Sequence, residues 1–328
     1  MVYEARPDER ADLEKQAALH GVELSVTDAV PTLENASLAA GCIGVSILGQ
    51  GCIDAALLDA YHALGIRYLS TRTIGYDHID LDHARSIGLR VCSASYAPNG
   101  VADFTVMMIL MCLRHYKQAL WRGQVNDFSL TGLQGREMKD LTIGIIGTGR
   151  IGAQVARNLS GFGCRILAYD LRRNPAVEPQ VTYVDFDTLL AQSDVITLHM
   201  PLLDSNRHII NRESIAKMRD GVVIVNCSRG ELADIEALIE GIETGKIGAL
   251  GMDTVEGDEG IIHADHRVDI LPNRNWFYLH QFRNVIMTQH MAFYTDAAVS
   301  SMVDCGIGGI CQMAAGESCP TELTGPVQ

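Results

Sequence analysis

The chain has 328 residues, of which 47% are hydrophobic and 20% are charged, and its formal net charge is -14. This length and composition exclude a wholly disordered chain and allow two domains with a large buried core. The negative charge argues against nucleic acid or an anionic membrane as a general partner, because its field repels both.

The nine cysteines form no CxxC pair, and most of them lie inside apolar runs. An odd, scattered set is typical of reduced thiols in the cytoplasm. The N-terminal residues lack the basic and apolar regions of a signal peptide. The longest apolar run, residues 104–113, is too short to span a bilayer and predicts a buried helix. We therefore expect a cytoplasmic protein with no membrane partner.

The first hundred residues alternate short apolar runs with helical stretches, which predicts an α/β unit with a parallel sheet. The predicted strands are 43–48, 66–70 and 89–92, and the predicted helices are 54–64 and 80–86. A single long, almost wholly apolar helix is then predicted over 99–116. We expect this helix to be a connector buried between domains or subunits.

From residue 141 the alternation resumes with a stronger pattern. The predicted strands are 141–146, 165–169, 195–199, 222–226, 249–252 and 285–288, with helices at 151–159, 187–192, 212–217 and 235–244. Apolar strands of this kind are typical of a doubly wound parallel sheet. A last helix, from 295 to about 313, is expected to cross back to the first domain. Residues 257–282 show no clear period, and the tail after residue 316 is expected to fray.

A glycine motif joins the first strand of this second region to its first helix. The motif is Gly147-x-Gly149-x-x-Gly152. The first glycine makes the turn, the second admits a pyrophosphate, and the third lets helix and strand pack closely. The phosphates then bind the N–H groups at the helix N-terminus. Strand, turn, helix and second strand in this order predict a dinucleotide-binding Rossmann domain.

The second strand of this motif ends on an acid. Asp170 stands eighteen residues after Gly152, where a carboxylate binds both ribose hydroxyls of an adenosine and repels a 2′-phosphate. This favours NAD. Arg172 and Arg173 follow the acid, so NADP stays open as an alternative.

Ligands of an open α/β sheet lie outside the carboxyl ends of its strands. Arg229 follows the predicted strand 222–226, and His290 follows 285–288. A nicotinamide enzyme that moves a hydride to a carbonyl needs a proton donor and a cation, which His290 and Arg229 supply. The acids after Asp253 offer a carboxylate to pair with the histidine. The spacing alone leaves open that Arg229 pairs with a surface acid and that His290 is structural.

Six stretches carry a resemblance to a known family. They are STRTIGYDHID (70–80), SYAPNGVADFTVMMILM (95–111), TIGIIGTGRIG (142–152), VVIVNCSRGELAD (222–234), GMDTVEG (251–257) and HMAFYT (290–295). In this order they resemble the D-2-hydroxyacid dehydrogenases, in the branch of the D-lactate, D-2-hydroxyisocaproate and vancomycin-resistance-type enzymes. The resemblance implies two doubly wound parallel-sheet α/β domains. The Rossmann NAD-binding domain, residues 99–294, would be inserted into a flavodoxin-like substrate domain, residues 1–98 and 295–328.

The resemblance also implies roles for single residues. In that family an arginine grips the substrate carboxylate and carbonyl, and a histidine is the acid/base; these roles fall on Arg229 and His290. The remaining substrate contacts are implied for the amides of Ile74 and Gly75, for Tyr96, and for Phe293 in the side-chain pocket.

Two positions depart from the family pattern. The family's histidine-pairing glutamate, five residues after the aspartate of the D-T/V pair, is Asp258 here, with Glu259 next to it. Either acid is expected to pair with His290. The proline that usually precedes the histidine is Gln289. Neither change removes a required chemical group.

The cofactor contacts that the resemblance implies are spread over the inserted domain. Arg150 and Ile151 would lie at the pyrophosphate, Asp170 at the ribose, Asn206 along the cleft, Cys227 and Ser228 beside the nicotinamide, and Asp253 at its carboxamide. The vancomycin-resistance type lacks the acid at position 170, which supports NAD for this chain.

We therefore expect an NAD-dependent oxidoreductase that reduces a 2-oxo acid to the (R)-2-hydroxy acid, without a metal. Two alternatives remain: an NAD(H)-sensing, corepressor-like binding protein, and a dehydrogenase for a dicarboxylic 2-oxo acid such as 2-oxoglutarate. The second alternative needs an added cation, for which Arg72 and His78 are candidates. Relatives with the buried connector helix pair through it, which predicts a homodimer through residues 99–116.

Overall fold

A computed structural model describes residues 1–271 and 273–325 of the chain. The strands are β1 (Gly44–Ile47), β2 (Tyr68–Thr71), β3 (Arg90–Cys92), β4 (Thr142–Ile146), β5 (Arg165–Tyr169), β6 (Thr182–Tyr183), β7 (Val195–Leu198), β8 (Val222–Asn226), β9 (Ile247–Met252) and β10 (Val285–Met287). The helices are α1 (Arg10–His20), α2 (Ala55–Ala63), α3 (Leu81–Ser86), α4 (Asn99–Leu113), α5 (Tyr116–Gln124), α6 (Arg150–Ser160), α7 (Phe186–Gln192), α8 (Arg212–Lys217), α9 (Ile235–Glu243), α10 (Arg274–His280) and α11 (Asp296–Ala314).

The chain divides into two compact units. The terminal unit comprises Met1–Ala97 and Tyr294–Gln328, and the inserted unit comprises Pro98–Phe293. The assignment from the sequence of residues 99–294 as an NAD-binding domain and of residues 1–98 and 295–328 as a substrate domain stays a prediction.

The terminal unit contains a parallel sheet in the order β1-β2-β3. Val2 extends it through parallel bridges to Ser46 in β1 and to Val26 on the other side. The parallel segments therefore follow the chain order 2-1-3-4-5, which is the doubly wound order of flavodoxin-like folds. The fold class predicted for this part of the chain is confirmed.

Helix α11 packs against α1 through an apolar cluster that includes Leu13, Val303 and Ile307. By length and composition alone, α11 is the one described helix that could cross a membrane, and half of its most apolar window is buried within the protein. Small, apolar residues along α11 suit a helix that lies against a sheet, and Gly306 is in such a contact: a Cβ there would lie 2.8 Å from the Arg72 side chain.

The inserted unit contains a seven-stranded sheet in the order β10-β9-β8-β7-β4-β5-β6, with every pair parallel. Its central strands β7 and β8 are buried along their whole length, which explains why they appear in the sequence as continuous apolar runs. The sheet has a core on each face. The predicted Rossmann domain is therefore confirmed.

The prediction of a single helix over 99–116 is wrong at its C-terminal end. Helix α4 stops at Leu113, and α5 begins at Tyr116 after His115, whose φ is +50°. The apolar run ends at Leu113 and the polar Arg114 and His115 follow, so burial no longer supports continuation of the same helix. A left-handed residue ends the α4 direction at that point.

The tail predicted to fray after residue 316 is instead held to β3. Glu322 forms an antiparallel bridge with Cys92 and an ion pair with Arg90, with a shortest N–O distance of 2.6 Å. Cys319 is buried against Met313. These long-range contacts are invisible to a local sequence pattern. In the aperiodic segment 257–282, the one described regular element is α10, which begins after the Asn273 side chain caps Trp276.

Candidate active site

The glycine turn joins β4 to α6 and has no room for side chains at two positions. Gly147 has a φ of +92°, and a Cβ on it would lie 2.7 Å from the His199 carbonyl oxygen. A Cβ on Gly152 would lie 1.9 Å from the Gly147 carbonyl oxygen. Gly149, the N-cap residue of α6, has no other group within 4 Å of its Cβ position. Space therefore lies in front of the open helix N-terminus, where a pyrophosphate fits.

The helix α6 begins with Arg150 and Ile151, the two residues predicted at the pyrophosphate. Arg150 is exposed, and Ile151 is partly buried against the core that lies under the sheet. Asp170 follows β5 directly, and its carboxylate accepts a hydrogen bond from the Thr148 amide at 2.6 Å. The glycine turn and the predicted ribose acid are therefore joined directly.

A buried, neutral histidine, His199, lies against the glycine turn. His199 follows β7, and burial lowers its pKa to about 3. Its Nε2 atom lies 2.9 Å from the Thr197 hydroxyl, while its Nδ1 atom is buried without a hydrogen-bond partner. The sequence predicted no role for it. The feature of the sequence that could have identified it is its position at the end of a predicted strand.

The loop after β8 is folded by a buried amide. The side chain of Asn226 donates to the Arg229 carbonyl oxygen at 2.8 Å and accepts from the Ser228 amide at 3.0 Å. The Ser228 hydroxyl donates to the Met200 carbonyl oxygen at 2.6 Å. Burial raises the pKa of the Cys227 thiol, so this group stays protonated at neutral pH. These hydrogen bonds fix the backbone of the loop that carries Arg229.

Arg229 is half-buried, and its guanidinium donates to the Ser228 carbonyl oxygen at 3.0 Å. The next residue, Gly230, touches the loop after β9: a Cβ on it would lie 2.3 Å from the Val255 carbonyl carbon. Only glycine permits this approach of two backbones. Arg229 is thereby fixed beside the loop that carries Asp258.

Asp253, at the end of β9, is 1% exposed and holds the loop that contains His290. Its carboxylate accepts hydrogen bonds from the Thr288 hydroxyl at 2.5 Å, the Met291 amide at 2.9 Å and the Ala292 amide at 2.8 Å. His290 itself has a φ of +53°, a strained backbone for a residue with a Cβ. The predicted contact of Asp253 with a nicotinamide carboxamide stays a prediction; the structure adds a positioning role.

Asp258 is half-buried, and its Oδ2 atom accepts a hydrogen bond from the Val255 amide at 3.1 Å. Burial raises the pKa of this carboxyl from 3.8 to about 7, and the charges of Glu259, Glu231 and Asp253 add to the rise. A carboxyl that titrates near neutrality is suited to share a proton with an imidazole.

An aromatic cluster surrounds the candidate acid/base and includes one residue that the sequence did not single out. The ring centroid of His263 lies 6.1 Å from that of His290 and 6.4 Å from that of Phe293. The rings of His290 and Phe293 meet edge-on at 6.2 Å. His263 lies in the aperiodic segment 257–282, where no pattern marked it.

The substrate residues predicted in the terminal unit lie after β2 and β3. Ile74 and Gly75 belong to a loop in which the Thr73 hydroxyl donates to the Gly75 carbonyl oxygen at 2.6 Å. The Ala94 amide donates to the Thr73 carbonyl oxygen at 2.9 Å, which joins this loop to the segment that leads to Tyr96. Adjacent strand ends therefore bring these predicted residues to one edge of the sheet.

Arg72 is not available as a pocket cation, which corrects the sequence-based suggestion. Its side chain is completely buried and pairs with Glu9, whose carboxylate lies 2.9 Å away. Its guanidinium also donates to the Tyr3 carbonyl oxygen and the Ser46 hydroxyl. A buried charge with these partners has a structural role in the terminal unit. His78, the other candidate, lies 3.2 Å from the Thr71 hydroxyl through Nε2.

The amide of Asn206 is used within its own loop. It accepts from the Leu203 amide and donates to the Pro201 carbonyl oxygen, both at 2.8 Å. The predicted position of Asn206 along a binding cleft stays a prediction.

The glycine turn, the acid at the end of the second strand and the polar residues at the strand ends define a dinucleotide-binding α/β protein. The comparisons with known proteins make this specific. Residues 106–292 match the family model "D-isomer specific 2-hydroxyacid dehydrogenase, NAD binding domain". An aromatic 2-oxoacid reductase of Clostridium sporogenes is 41% identical over 308 residues, which cover 93% of this chain and 92% of the relative.

Two further relatives extend over almost the whole chain. The D-lactate dehydrogenase of Escherichia coli is 36% identical and covers 98% of each chain. The NAD-complexed D-isomer specific 2-hydroxyacid dehydrogenase of Lactobacillus delbrueckii has a TM-score of 0.84 at 30% identity, again with 98% of each chain covered. The chain belongs to the D-isomer specific 2-hydroxyacid dehydrogenase family. It is an NAD-dependent oxidoreductase that reduces 2-oxo acids to D-2-hydroxy acids, as the sequence predicted.

Proposed function

We propose that Arg229, Asp258 and His290 form the catalytic set of this reductase. The observation that carries the proposal is the strand order: Arg229 follows β8, Asp258 follows β9 and His290 follows β10, and these three strands are neighbours in the sheet. Carboxyl ends of neighbouring parallel strands meet at one edge, which is where ligands of such sheets bind.

Each member of the set has a distinct chemical task. Bound NADH supplies the hydride that reduces the keto carbon. His290 protonates the carbonyl oxygen, and Asp258 stabilises the imidazolium before that proton is given up. Arg229 binds the substrate carboxylate with paired N–H donors and polarises the carbonyl. Glu259 is the alternative partner of His290; Asp258 is preferred because it is half-buried after β9 whereas Glu259 is exposed.

The cofactor contacts follow the same edge of the sheet. Gly147, Gly149 and Gly152 with the α6 N-terminus would hold the pyrophosphate, together with Arg150 and Ile151. Asp170 would bind the ribose hydroxyls, and Asn206, Cys227, Ser228 and Asp253 would lie towards the nicotinamide. The crowded Cβ positions of Gly147 and Gly152 and the open position of Gly149 support this part of the proposal.

We further propose that the substrates carry an aromatic or branched side chain. The rings of His263, His290 and Phe293 form a cluster beside the acid/base, and such a cluster offers edge and face contacts to an aromatic side chain. The 41% identical relative is named an aromatic 2-oxoacid reductase. Ile74, Gly75 and Tyr96 would hold the substrate carboxylate.

A panel of 2-oxo acids tests this proposal. NADH oxidation would be followed with pyruvate, 2-oxoisocaproate, phenylpyruvate and 2-oxoglutarate, with NADPH in parallel and chiral analysis of each product. We expect the highest kcat/KM with phenylpyruvate and NADH, and a D-hydroxy acid product. A highest kcat/KM with 2-oxoglutarate or with pyruvate would contradict the substrate proposal.

We also propose that the protein is a cytoplasmic homodimer. The outward side of α4 presents Met107, and the segment after it exposes Trp121, Phe128 and Leu130, which are 65%, 78% and 83% exposed. Apolar side chains in such a run favour an interface with a second copy. The nine cysteines are free thiols, which supports a reducing compartment. The dimer would be contradicted if light scattering gave the mass of a monomer both for the unchanged protein and for Trp121→Glu.

A further inference from the structure

A chain of hydrogen bonds leads to the ribose-binding acid from the short edge strand β6. The Asn174 amide donates to the Tyr183 hydroxyl at 2.9 Å, and that hydroxyl donates to the Thr148 hydroxyl at 2.8 Å. The Thr148 hydroxyl in turn donates to Asp170 Oδ2 at 3.0 Å. In this series of hydrogen bonds, each donor points towards the Asp170 carboxylate. Hydrogen bonds aligned in this way polarise and strengthen one another.

The same residues close the loop that follows Asp170. The Asn174 side chain donates to the Thr148 carbonyl oxygen at 2.9 Å, and the Arg172 amide donates to Asp170 Oδ1 at 2.9 Å. Thr148 is 1% exposed, so its hydroxyl has little access to water. Asp170 is thereby held at both of its oxygens by groups of the protein. Its remaining lone pairs have a fixed direction.

Tyr183 also contacts one of the two arginines beside the acid. The guanidinium carbon of Arg173 lies 5.5 Å from the centroid of the Tyr183 ring, within the range of a cation–π contact. Arg173 is exposed, and it follows Asp170 by three residues. An arginine at this place is the kind of group that binds the 2′-phosphate of NADP. Its contact with the ring gives it a preferred position other than the ribose.

We propose that Tyr183 is a positioning residue for cofactor selection, acting on Asp170 through its hydroxyl and on Arg173 through its ring. The hydroxyl chain orients the carboxylate for the two ribose hydroxyls. The cation–π contact with the ring holds Arg173 in a position from which it does not bind a 2′-phosphate. This inference rests on the proposed role of Asp170 in binding the ribose.

Two substitutions separate the effect of the Tyr183 hydroxyl from the effect of its ring. Tyr183→Phe removes the hydroxyl and keeps the ring, so the Kd of NADH should rise about three- to ten-fold, the size expected for one hydrogen bond between neutral groups. Its affinity for NADPH should stay as weak as in the unchanged protein. Tyr183→Leu removes the ring as well, so NADPH should also bind more tightly and its kcat/KM should rise. Adding Arg173→Ala to Tyr183→Leu should abolish the gain with NADPH and keep the loss with NADH.

The experiment measures Kd by NADH and NADPH fluorescence and kcat/KM with one fixed 2-oxo acid. Tyr278→Phe is the matched control: Tyr278 is exposed in the same unit, and its hydroxyl donates to Glu243 at 2.6 Å. It should leave the NADH-to-NADPH ratio unchanged. Thermal unfolding of each variant confirms that it is folded.

Asp170→Ala tests the proposed ribose site independently of Tyr183. If Asp170→Ala leaves NADH affinity unchanged, the proposed ribose site itself is wrong. If Asp170→Ala weakens NADH binding but both Tyr183 variants keep the cofactor ratio within two-fold, the ribose site stands and the role of Tyr183 is refuted. A gain with NADPH that survives removal of Arg173 would refute the role of the ring.

Discussion

Asp258 has a proposed catalytic task and a cost in stability, and one variant measures both. Burial raises the pKa of its carboxyl from 3.8 to about 7. In the unfolded chain the group ionises at its ordinary, lower pKa. The folded state is therefore destabilised as pH rises between these two values, and the full cost is present above the folded pKa. Below pH 3.8 the cost is absent.

A shift of this size corresponds to roughly 4 kcal/mol in the free energy of unfolding, at 1.36 kcal/mol for each pH unit. Asp258→Asn keeps the shape and the acceptor for the Val255 amide but removes the titration. The stability of the variant relative to the unchanged protein should therefore increase with pH. Between pH 5 and pH 8.5 we expect this difference to grow by about 2 to 3 kcal/mol, because the rest is already present at pH 5.

Urea unfolding at several pH values measures this difference, and turnover of a 2-oxo acid with NADH measures the catalytic effect. We expect kcat to fall at least about ten-fold, because His290 would lose its proposed partner. The control is Asp265→Asn in the same loop: Asp265 is paired with Arg267, which lowers its pKa, so its effect should be flat across this pH range. A stability difference for Asp258→Asn that does not change with pH would refute the assigned ionisation.

Two further substitutions test the groups around the acid/base. Arg229→Gln should raise KM for the 2-oxo acid and lower kcat together, by roughly 10²- to 10³-fold in kcat/KM, with the Kd of NADH unchanged; a change in KM alone would contradict a contact to the reacting carbonyl. Asp253→Asn cannot accept at its amide nitrogen, so at least one donor of the His290 loop loses its partner and the free energy of unfolding should fall by about 1 to 3 kcal/mol. In that variant kcat should fall as well, and activity equal to the unchanged protein would show that Asp253 does not position His290.

The inserted unit was the easier part to predict, because its strands are buried on both faces and appear as apolar runs. The sequence pattern does not predict elements with few buried residues, namely helix α1 and strand β6. In α1 only Leu13 and Gln16 are buried, so the helix shows no apolar period. Strand β6 has two residues, too few for any pattern, although it supplies Tyr183.

The candidate site divides in the same way. Arg229 and His290 could be found from the sequence because each follows a predicted strand, and the resemblance then gave each a role. Contacts between distant parts of the chain could not be found. Asp253 holds amides 38 and 39 residues further along, and Arg72 pairs with an acid 63 residues away. Sequence spacing carries no information on such pairs, so the sequence alone offers Arg72 as a pocket cation although it is buried against Glu9.

The most direct test of the proposed site is His290→Gln, assayed for turnover and for NADH binding in the same preparation. We expect kcat for 2-oxo acid reduction to fall by roughly 10²- to 10⁴-fold, while the Kd of NADH stays within about two-fold, because the glycine turn and Asp170 are unaffected. Turnover close to that of the unchanged protein would show that another group protonates the carbonyl oxygen, and it would contradict the assignment of His290 as the acid.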